Sequence, residues 1–130
     1  MPREDDVREL SREWLRIAES NLRMASRGPS EGIRWEERCF EAQQAVEKAI
    51  KAVLVREQID FPRTHDVGVL LDLVAASGRS LPPDEARDLT EFATGARYPG
   101  WPRVVTEGDY QEALGVATRV LAWARKVING

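Results

Sequence analysis

Apolar residues recur every three or four positions along most of the chain, which is the period of an amphipathic α-helix. The first such segment predicts a helix from about Asp6 to Ser26, ended by Gly28 and Pro29. Its apolar face consists of Val7, Leu10, Trp14, Ile17, Ala18, Asn21 and Ala25. A second helix is predicted from about Ser30 to Gln58. Its apolar stripe consists of Cys39, Ala42, Val46, Ala49, Ile50 and Val53.

Three further helices are predicted in the second half. One begins after Thr64 or Asp66 and ends at Gly78. The next follows Pro82 and Pro83, with Leu89, Phe92 and Ala93 facing inward, and the last runs from about Gly108 to Val127. No segment alternates with the period of two that a strand requires. The sequence therefore predicts an all-α, up-and-down antiparallel bundle of four to five helices, forming one domain over residues 1–130.

Composition narrows the functional classes. The chain has one cysteine, Cys39, so it can form no internal disulfide, and a cytoplasmic location is expected. The chain also has only one histidine, so there are too few Cys and His ligands for a zinc site. No other cofactor is predicted. No apolar run reaches the length of a membrane span, and the charged N-terminus does not resemble a signal peptide. The net charge of −3 argues weakly against avid nonspecific binding to nucleic acid.

The second helix carries a polar face beside its apolar stripe. At about 100° per residue, Phe40, Gln44, Glu47 and Lys51 fall together. Phe40 either marks a surface for a partner or packs beneath a neighbouring element. On the first helix, five arginines share the side opposite the apolar face: Arg8, Arg12, Arg16, Arg23 and Arg27. They form either a track for phosphates or a solvated face, since Glu9 and Glu19 lie among them.

Two loops carry candidate chemistry. His65, the only histidine, follows Arg63 at the head of the third predicted helix. A neutral imidazole there can act as a base, and Arg63 or Arg97 can clamp a phosphate; alternatively, His65 caps the helix or bonds a backbone carbonyl. In the second loop, Tyr98 and Trp101 either stack on a base, with Arg97 and Arg103 on phosphates, or close the end of the bundle.

Three motifs resemble the HEPN family of small helical domains. The first, in the second helix, is Phe40-x-x-Gln43-Gln44-Ala45-x-Glu47-Lys48-x-x-Lys51-Ala52. The second is Phe61-Pro62-Arg63-Thr64-His65-Asp66, and the third is Ala96-Arg97-Tyr98-Pro99. Trp14, Ala18 and Leu22 fit as well, so the resemblance spans roughly residues 10 to 125.

The resemblance implies a four- or five-helix bundle that is usually a homodimer. Many members are partners of a minimal nucleotidyltransferase in toxin–antitoxin pairs, and others are linked to nucleotide binding. Some are metal-independent ribonucleases in which four to six residues separate an arginine from a histidine. Here that spacing before His65 falls on Gln58, Ile59 and Asp60, and no histidine follows Arg97. The ribonuclease motif is therefore absent, and whether the chain is an enzyme stays open.

The sequence thus predicts a HEPN-type binding module for nucleotide or RNA, working as a homodimer and as a nucleotidyltransferase partner. The alternatives are a metal-independent ribonuclease with an atypical Arg/His site and a purely structural dimeric module. The candidate catalytic residues are His65 and Arg63. The candidate nucleotide- or phosphate-binding residues are Gln44, Glu47, Lys48, Lys51, Arg97 and Tyr98.

Overall fold

A computed structural model describes residues 3–27, 32–79, 82, 85–89, 99–100 and 104–130. Four helices are defined: α1 (Glu4–Ser26), α2 (Trp35–Arg56), α3 (Val67–Ala76) and α4 (Glu107–Asn129). A further helical turn covers 86–89, and the part of the chain that the structure describes contains no strand. The prediction of an all-α helical bundle is confirmed. Of the predicted fourth helix, Leu89 is buried as expected, whereas Phe92 and Ala93 lie outside the described residues.

Local side-chain chemistry fixes where helices begin. The carboxylate of Asp66 accepts a hydrogen bond from the backbone N–H of Gly68 at 2.8 Å and so caps α3. Thr106 and Asp109 form a reciprocal capping box at the start of α4. At the end of α2, Gln58 adopts a φ of 57°, the left-handed conformation that stops a helix. The connection to α3 therefore leaves the axis of α2 at this residue.

α2 lies at the centre of the bundle, and α1 and α4 pack against it. α1 is antiparallel to α2, because Asn21 donates to Glu41 at 3.1 Å while Glu4 pairs with Arg56 at 3.4 Å at the opposite end. The hydroxyl of Tyr110, at the start of α4, donates to the buried carbonyl of Ala25 at 2.6 Å. This bond ties the last helix to the end of the first.

The buried face of α1 matches the predicted one in part: Val7, Ala18 and Ala25 are buried as expected. Leu15 is buried in the core and so is Ser11, whose hydroxyl donates to the carbonyl of Arg8. Leu10 and Ile17, predicted on the apolar face, keep 51% and 40% of their surface exposed. The helix is thus rotated so that Ser11 and Leu15 are buried in the bundle, and Leu10 and Ile17 lie at the edge of the buried face.

The connection from 57 to 66 runs back along α2 before α3 begins. His65, near its end, contacts Glu47 in the middle of α2. Arg79, just beyond α3, pairs with Glu57 at the end of α2 at 2.5 Å. α3 therefore begins beside the middle of α2 and reaches its C-terminal end. This return path is what places the loop with the only histidine over the centre of α2, the most buried helix.

Candidate functional site

A buried carboxylate lies at the centre of the candidate site. Glu47 in α2 has no solvent-exposed surface. Its Oε2 atom accepts hydrogen bonds from Nζ of Lys48 at 2.7 Å and from Nζ of Lys51 at 3.0 Å. Nδ1 of His65 lies 3.0 Å from Oε1 and 3.3 Å from Oε2. We refer to Glu47, Lys48, Lys51 and His65 as the Glu47 cluster.

Helix geometry explains how α2 presents three charged groups at one point. Glu47 and Lys51 are one turn apart and therefore share a face. Lys48 is the next residue along the helix, and its flexible stem turns back so that its ammonium meets the same carboxylate oxygen. Because a buried charge without a partner is very costly, these two lysines are what allow a carboxylate to occupy the core.

Two aromatic rings cover Lys51. Its Nζ lies 5.6 Å from the ring centre of Trp14 and 5.8 Å from that of Phe61, within the range of cation–π attraction. The rings meet edge to face, with centres 6.3 Å apart and planes at 75°. Trp14 comes from α1 and Phe61 from the returning connection. The lysine therefore joins three segments of the chain, and only 8% of its side chain is exposed.

A chain of hydrogen bonds from two glutamines supports the histidine. Nε2 of the buried Gln43 donates to the backbone carbonyl of His65 at 3.4 Å. Nε2 of Gln44 donates to Oε1 of Gln43 at 3.0 Å, and Nζ of Lys48 donates to Oε1 of Gln44 at 3.2 Å. The glutamine pair of the motif thus fixes both the loop and one lysine of the Glu47 cluster.

Electrostatics keep Glu47 ionised. Burial acts to raise the pKa of Glu47, but the hydrogen bonds from Lys48 and Lys51 and the charges of these lysines outweigh it, so the net pKa lies below the ordinary value. One carboxylate faces two ammonium groups, which leaves a surplus of one positive charge before any protonation of His65. The Glu47 cluster is therefore a positively charged site in a protein of net charge −3.

The imidazole of His65 forms the outer boundary of the cluster. Its side chain is 80% exposed, although its Nδ1 edge contacts the fully buried Glu47. A carboxylate that holds Nδ1 orients the ring and leaves Nε2 toward solvent. Such a ring can donate to an anion when it is protonated and can accept a proton when it is neutral.

The structure brings together most of the predicted binding residues. Gln44, Glu47, Lys48, Lys51 and His65 form one connected group. Arg63 is exposed and forms no ion pair within the described residues, so the structure shows no ionic or hydrogen-bonded pairing of Arg63 with His65 there. Arg97 and Tyr98 lie outside the described residues.

Sequence reasoning did not include three supporting residues in the site: Gln43, Trp14 and Phe61. Gln43 and Phe61 stand within two of the motifs that resemble the family, and Trp14 is one of the further matching residues in α1, so the resemblance was the available clue. Phe40, for which two interpretations were open, is half-buried. Asp66, and not His65, caps α3. The imidazole of His65 instead forms a hydrogen bond with the carboxylate of Glu47.

Two cavities lie near the ends of the bundle. One of 560 Å³ is bordered by Ser77, Arg79 and Trp123, beyond the end of α3. The other, of 530 Å³, is bordered by Leu10, Ile59 and Phe61. Phe61 thus separates this second cavity from Lys51 and the Glu47 cluster. The cluster itself is filled by side chains, with the imidazole as its exposed part.

Metal ligands are sparse at the cluster. It offers one carboxylate and one imidazole, while its two ammonium groups cannot bind a cation. Throughout the described ranges, no group of three or more His, Cys, Asp or Glu side chains is placed to hold a metal ion. None of the helices in those ranges is long and apolar enough to cross a membrane.

Comparison with known proteins identifies the family. The model of the HEPN domain matches residues 11–127. The crystal structure of ST0689, an archaeal HEPN homologue, superposes with a TM-score of 0.63 at 27% sequence identity. The alignment covers 91% of this chain and 97% of that one. No curated protein matches significantly. This chain belongs to the HEPN domain family.

We predict that Glu47→Gln lowers the free energy of unfolding by about 3 kcal/mol near neutral pH, because it leaves the buried ammonium of Lys51 and the partly buried ammonium of Lys48 without their counter-charge. The contribution of Glu47 is fully present above its ordinary pKa of 4.5 and is lost as the pH falls through its lower folded pKa. Urea denaturation at several pH values measures this: the two proteins should converge in acid. The exposed Glu112→Gln is the matched control, and an equal loss in both variants would contradict the role of burial.

Proposed function

We propose that this HEPN domain is a helical binding module for the phosphates of a nucleotide or an RNA. In this proposal the Glu47 cluster provides the phosphate contact, with His65 at its surface. The module works as a homodimer and as the partner of a nucleotidyltransferase in a pair of the toxin–antitoxin type. Membership of the family and the charge of the cluster support the proposal.

The observation that carries it is an exposed imidazole above a buried, positively charged cluster. A phosphate at Nε2 of His65 gains from the surplus charge of Lys48 and Lys51, which the single carboxylate does not cancel. Arg63, exposed two residues earlier on the same loop, can add a bidentate contact. Since the whole chain is acidic, binding depends on this local field rather than on net charge.

His65→Ala and Arg63→Ala should each weaken binding of ATP, GTP or a short single-stranded RNA by about tenfold, the equivalent of one charge-assisted hydrogen bond. Isothermal titration calorimetry at low and moderate salt measures this, and the affinity of the parent protein should fall as salt rises. Both side chains are exposed, and Lys48 and Lys51 still compensate Glu47 in His65→Ala, so the circular dichroism of both variants should stay helical. Arg119→Ala, exposed on α4, is the control. If the parent protein and the His65→Ala variant bind with equal affinity, the proposed site at His65 is rejected.

The nucleotidyltransferase partnership rests on family membership. When the tagged chain is coexpressed with a minimal nucleotidyltransferase encoded beside it, we expect the two proteins to elute together in size-exclusion chromatography at moderate salt. An unrelated enzyme of similar size and charge is the control. Separate elution of the nucleotidyltransferase, with both proteins folded, would contradict the partnership and leave nucleotide binding to be judged by calorimetry.

A second candidate function is metal-independent RNA cleavage, which the contact between Glu47 and His65 favours. A carboxylate bound to Nδ1 holds an imidazole in the orientation and tautomer that a general base requires. Nε2 would take the proton of a ribose 2′-hydroxyl, and the oxygen would attack the adjacent phosphorus to form the 2′,3′-cyclic phosphate. The bond from phosphorus to the 5′-oxygen of the next nucleotide would break, and that oxygen would leave as a hydroxyl with a proton from water. The neighbouring cations would stabilise the added negative charge.

If this candidate is correct, the purified protein cleaves RNA in the presence of EDTA and leaves 2′,3′-cyclic phosphate ends, detectable by mass spectrometry. His65→Ala should abolish this activity, and Arg63→Ala should reduce it about a hundredfold, as expected for one transition-state contact. Arg119→Ala again serves as the control. Intact RNA after incubation with the parent protein would reject the ribonuclease while leaving the binding module in place.

A further inference from the structure

A line of exposed apolar residues runs along α1. Leu10, Ile17 and Met24 are 51%, 40% and 52% exposed, and each lies seven positions after the one before it. We call these three residues the α1 stripe. A repeat of seven keeps apolar side chains in register on one side of a helix and suits a second helix packed at a shallow crossing angle. The rest of the large apolar surface of α1 faces α2 and α4, so the α1 stripe is additional to the core.

The charges beside the α1 stripe change sign along the helix. Seven charged residues lie on its solvent side, within about 100° at 100° per residue. The acidic ones are Asp5, Asp6, Glu9 and Glu13, and the basic ones are Arg16, Arg23 and Arg27. The N-terminal half of this surface is therefore negative and the C-terminal half positive. A second copy packed in the same direction would place like charges together, whereas a copy packed in the opposite direction would pair unlike charges.

The pairing has a definite register. If a two-fold axis passes beside Ile17, Leu10 of one subunit lies near Met24 of the other. Asp6 then lies near Arg27 of the partner subunit, and Glu9 near Arg23 of the partner subunit, to within one turn. Asp6, Arg23 and Arg27 enter no ion pair with any residue that the structure describes, although Arg16 already binds Glu9 and Glu13. The outer charges are thus available for contacts between subunits.

The two ends of the α1 stripe also differ in a complementary way. Beside Leu10 lies the cavity of 530 Å³, bordered by Ile59 and Phe61. Beside Met24 lies Ile33, which is 49% exposed. An antiparallel pair brings Met24 and Ile33 of each subunit toward the apolar cavity of the other. Both ends of the contact become equivalent, as a two-fold interface requires.

From these observations we propose that the α1 stripe is the dimerisation surface and that a second copy of this chain covers it, with the two α1 helices antiparallel about Ile17. This inference rests on the homodimer of the proposed function and adds its surface and register. It is independent of what binds at His65.

Disulfide crosslinking tests the register, because a bond forms only when two Cα atoms come within about 7 Å. Ile17→Cys should crosslink with itself under mild oxidation. Leu10→Cys and Met24→Cys should each stay uncrosslinked alone but form a mixed dimer when combined. Arg12→Cys, about 140° around the helix, is the control, and the native Cys39 is buried and should not react. Self-crosslinking of Leu10→Cys would indicate a parallel pair and overturn the proposal, as would an Ile17→Cys yield no higher than the control.

Light scattering coupled to size-exclusion chromatography tests the surface. Ile17→Glu should halve the measured mass while its circular dichroism stays helical. Arg27→Glu should raise the dimer dissociation constant about tenfold, since symmetry doubles each lost pair, and adding Asp6→Arg should restore it. A dimer that survives Ile17→Glu would reject this surface but not the homodimer. A parent protein that is monomeric at every concentration would reject both, and nucleotide affinity at His65 would remain a separate measurement.

Discussion

A carboxylate buried in the central helix is the constraint on which this structure depends. Glu47 is fully covered, and a charge in that position is tolerated only when other charges and hydrogen bonds compensate it. Lys48 and Lys51 supply the charge from the same helix, and His65 supplies a contact from a distant loop. The connection after α2 returns to the middle of α2 before α3 begins, and this path brings His65 to the carboxylate.

The residues around Glu47 also hold the charged groups and the histidine in fixed positions. Gln43 holds the backbone of the loop at His65, and the rings of Trp14 and Phe61 cover Lys51. These contacts come from α1, α2 and the connection, so each of the three segments restrains the others. The result is an imidazole whose inner edge is fixed and whose outer edge is open. A purely structural module needs the buried pairs, but it has no need of an exposed imidazole bonded to them.

The two proposals concern neighbouring surfaces. Trp14 lies between Leu10 and Ile17 in the sequence of α1, and its ring contacts Lys51 of the Glu47 cluster. A dimer formed through the α1 stripe would therefore place each cluster near the edge of the interface. Dimerisation and ligand binding would then share a side chain, which gives a physical route by which one can influence the other. The direction of such an effect depends on whether the second α1 helix orders Trp14 or displaces it.

Much of the fold follows from local patterns in the sequence. The helical period predicts where the helices lie. Asp66 and Thr106 cap the starts of α3 and α4, and Gly78 follows the end of α3 in a left-handed turn. Such caps and turns depend only on residues close in the sequence. The same period placed Gln44, Glu47 and Lys51 on one face. The burial of that face was not predictable, since a run of charged residues on a helix usually faces solvent.

Only the tertiary structure decided which segments far apart in the chain contact one another. Glu47 and His65 are separated by a connection whose direction no local pattern specifies, and only the folded chain shows that it returns along α2. The rotation of α1, which exposes Leu10 and Ile17 and buries Ser11, likewise depends on which small residues allow α2 to approach closely. Sequence by itself determined the helices, their polar faces and the family. Packing determined which charged residues were buried and which apolar residues were exposed, because burial is a property of neighbours that the linear order of residues does not contain.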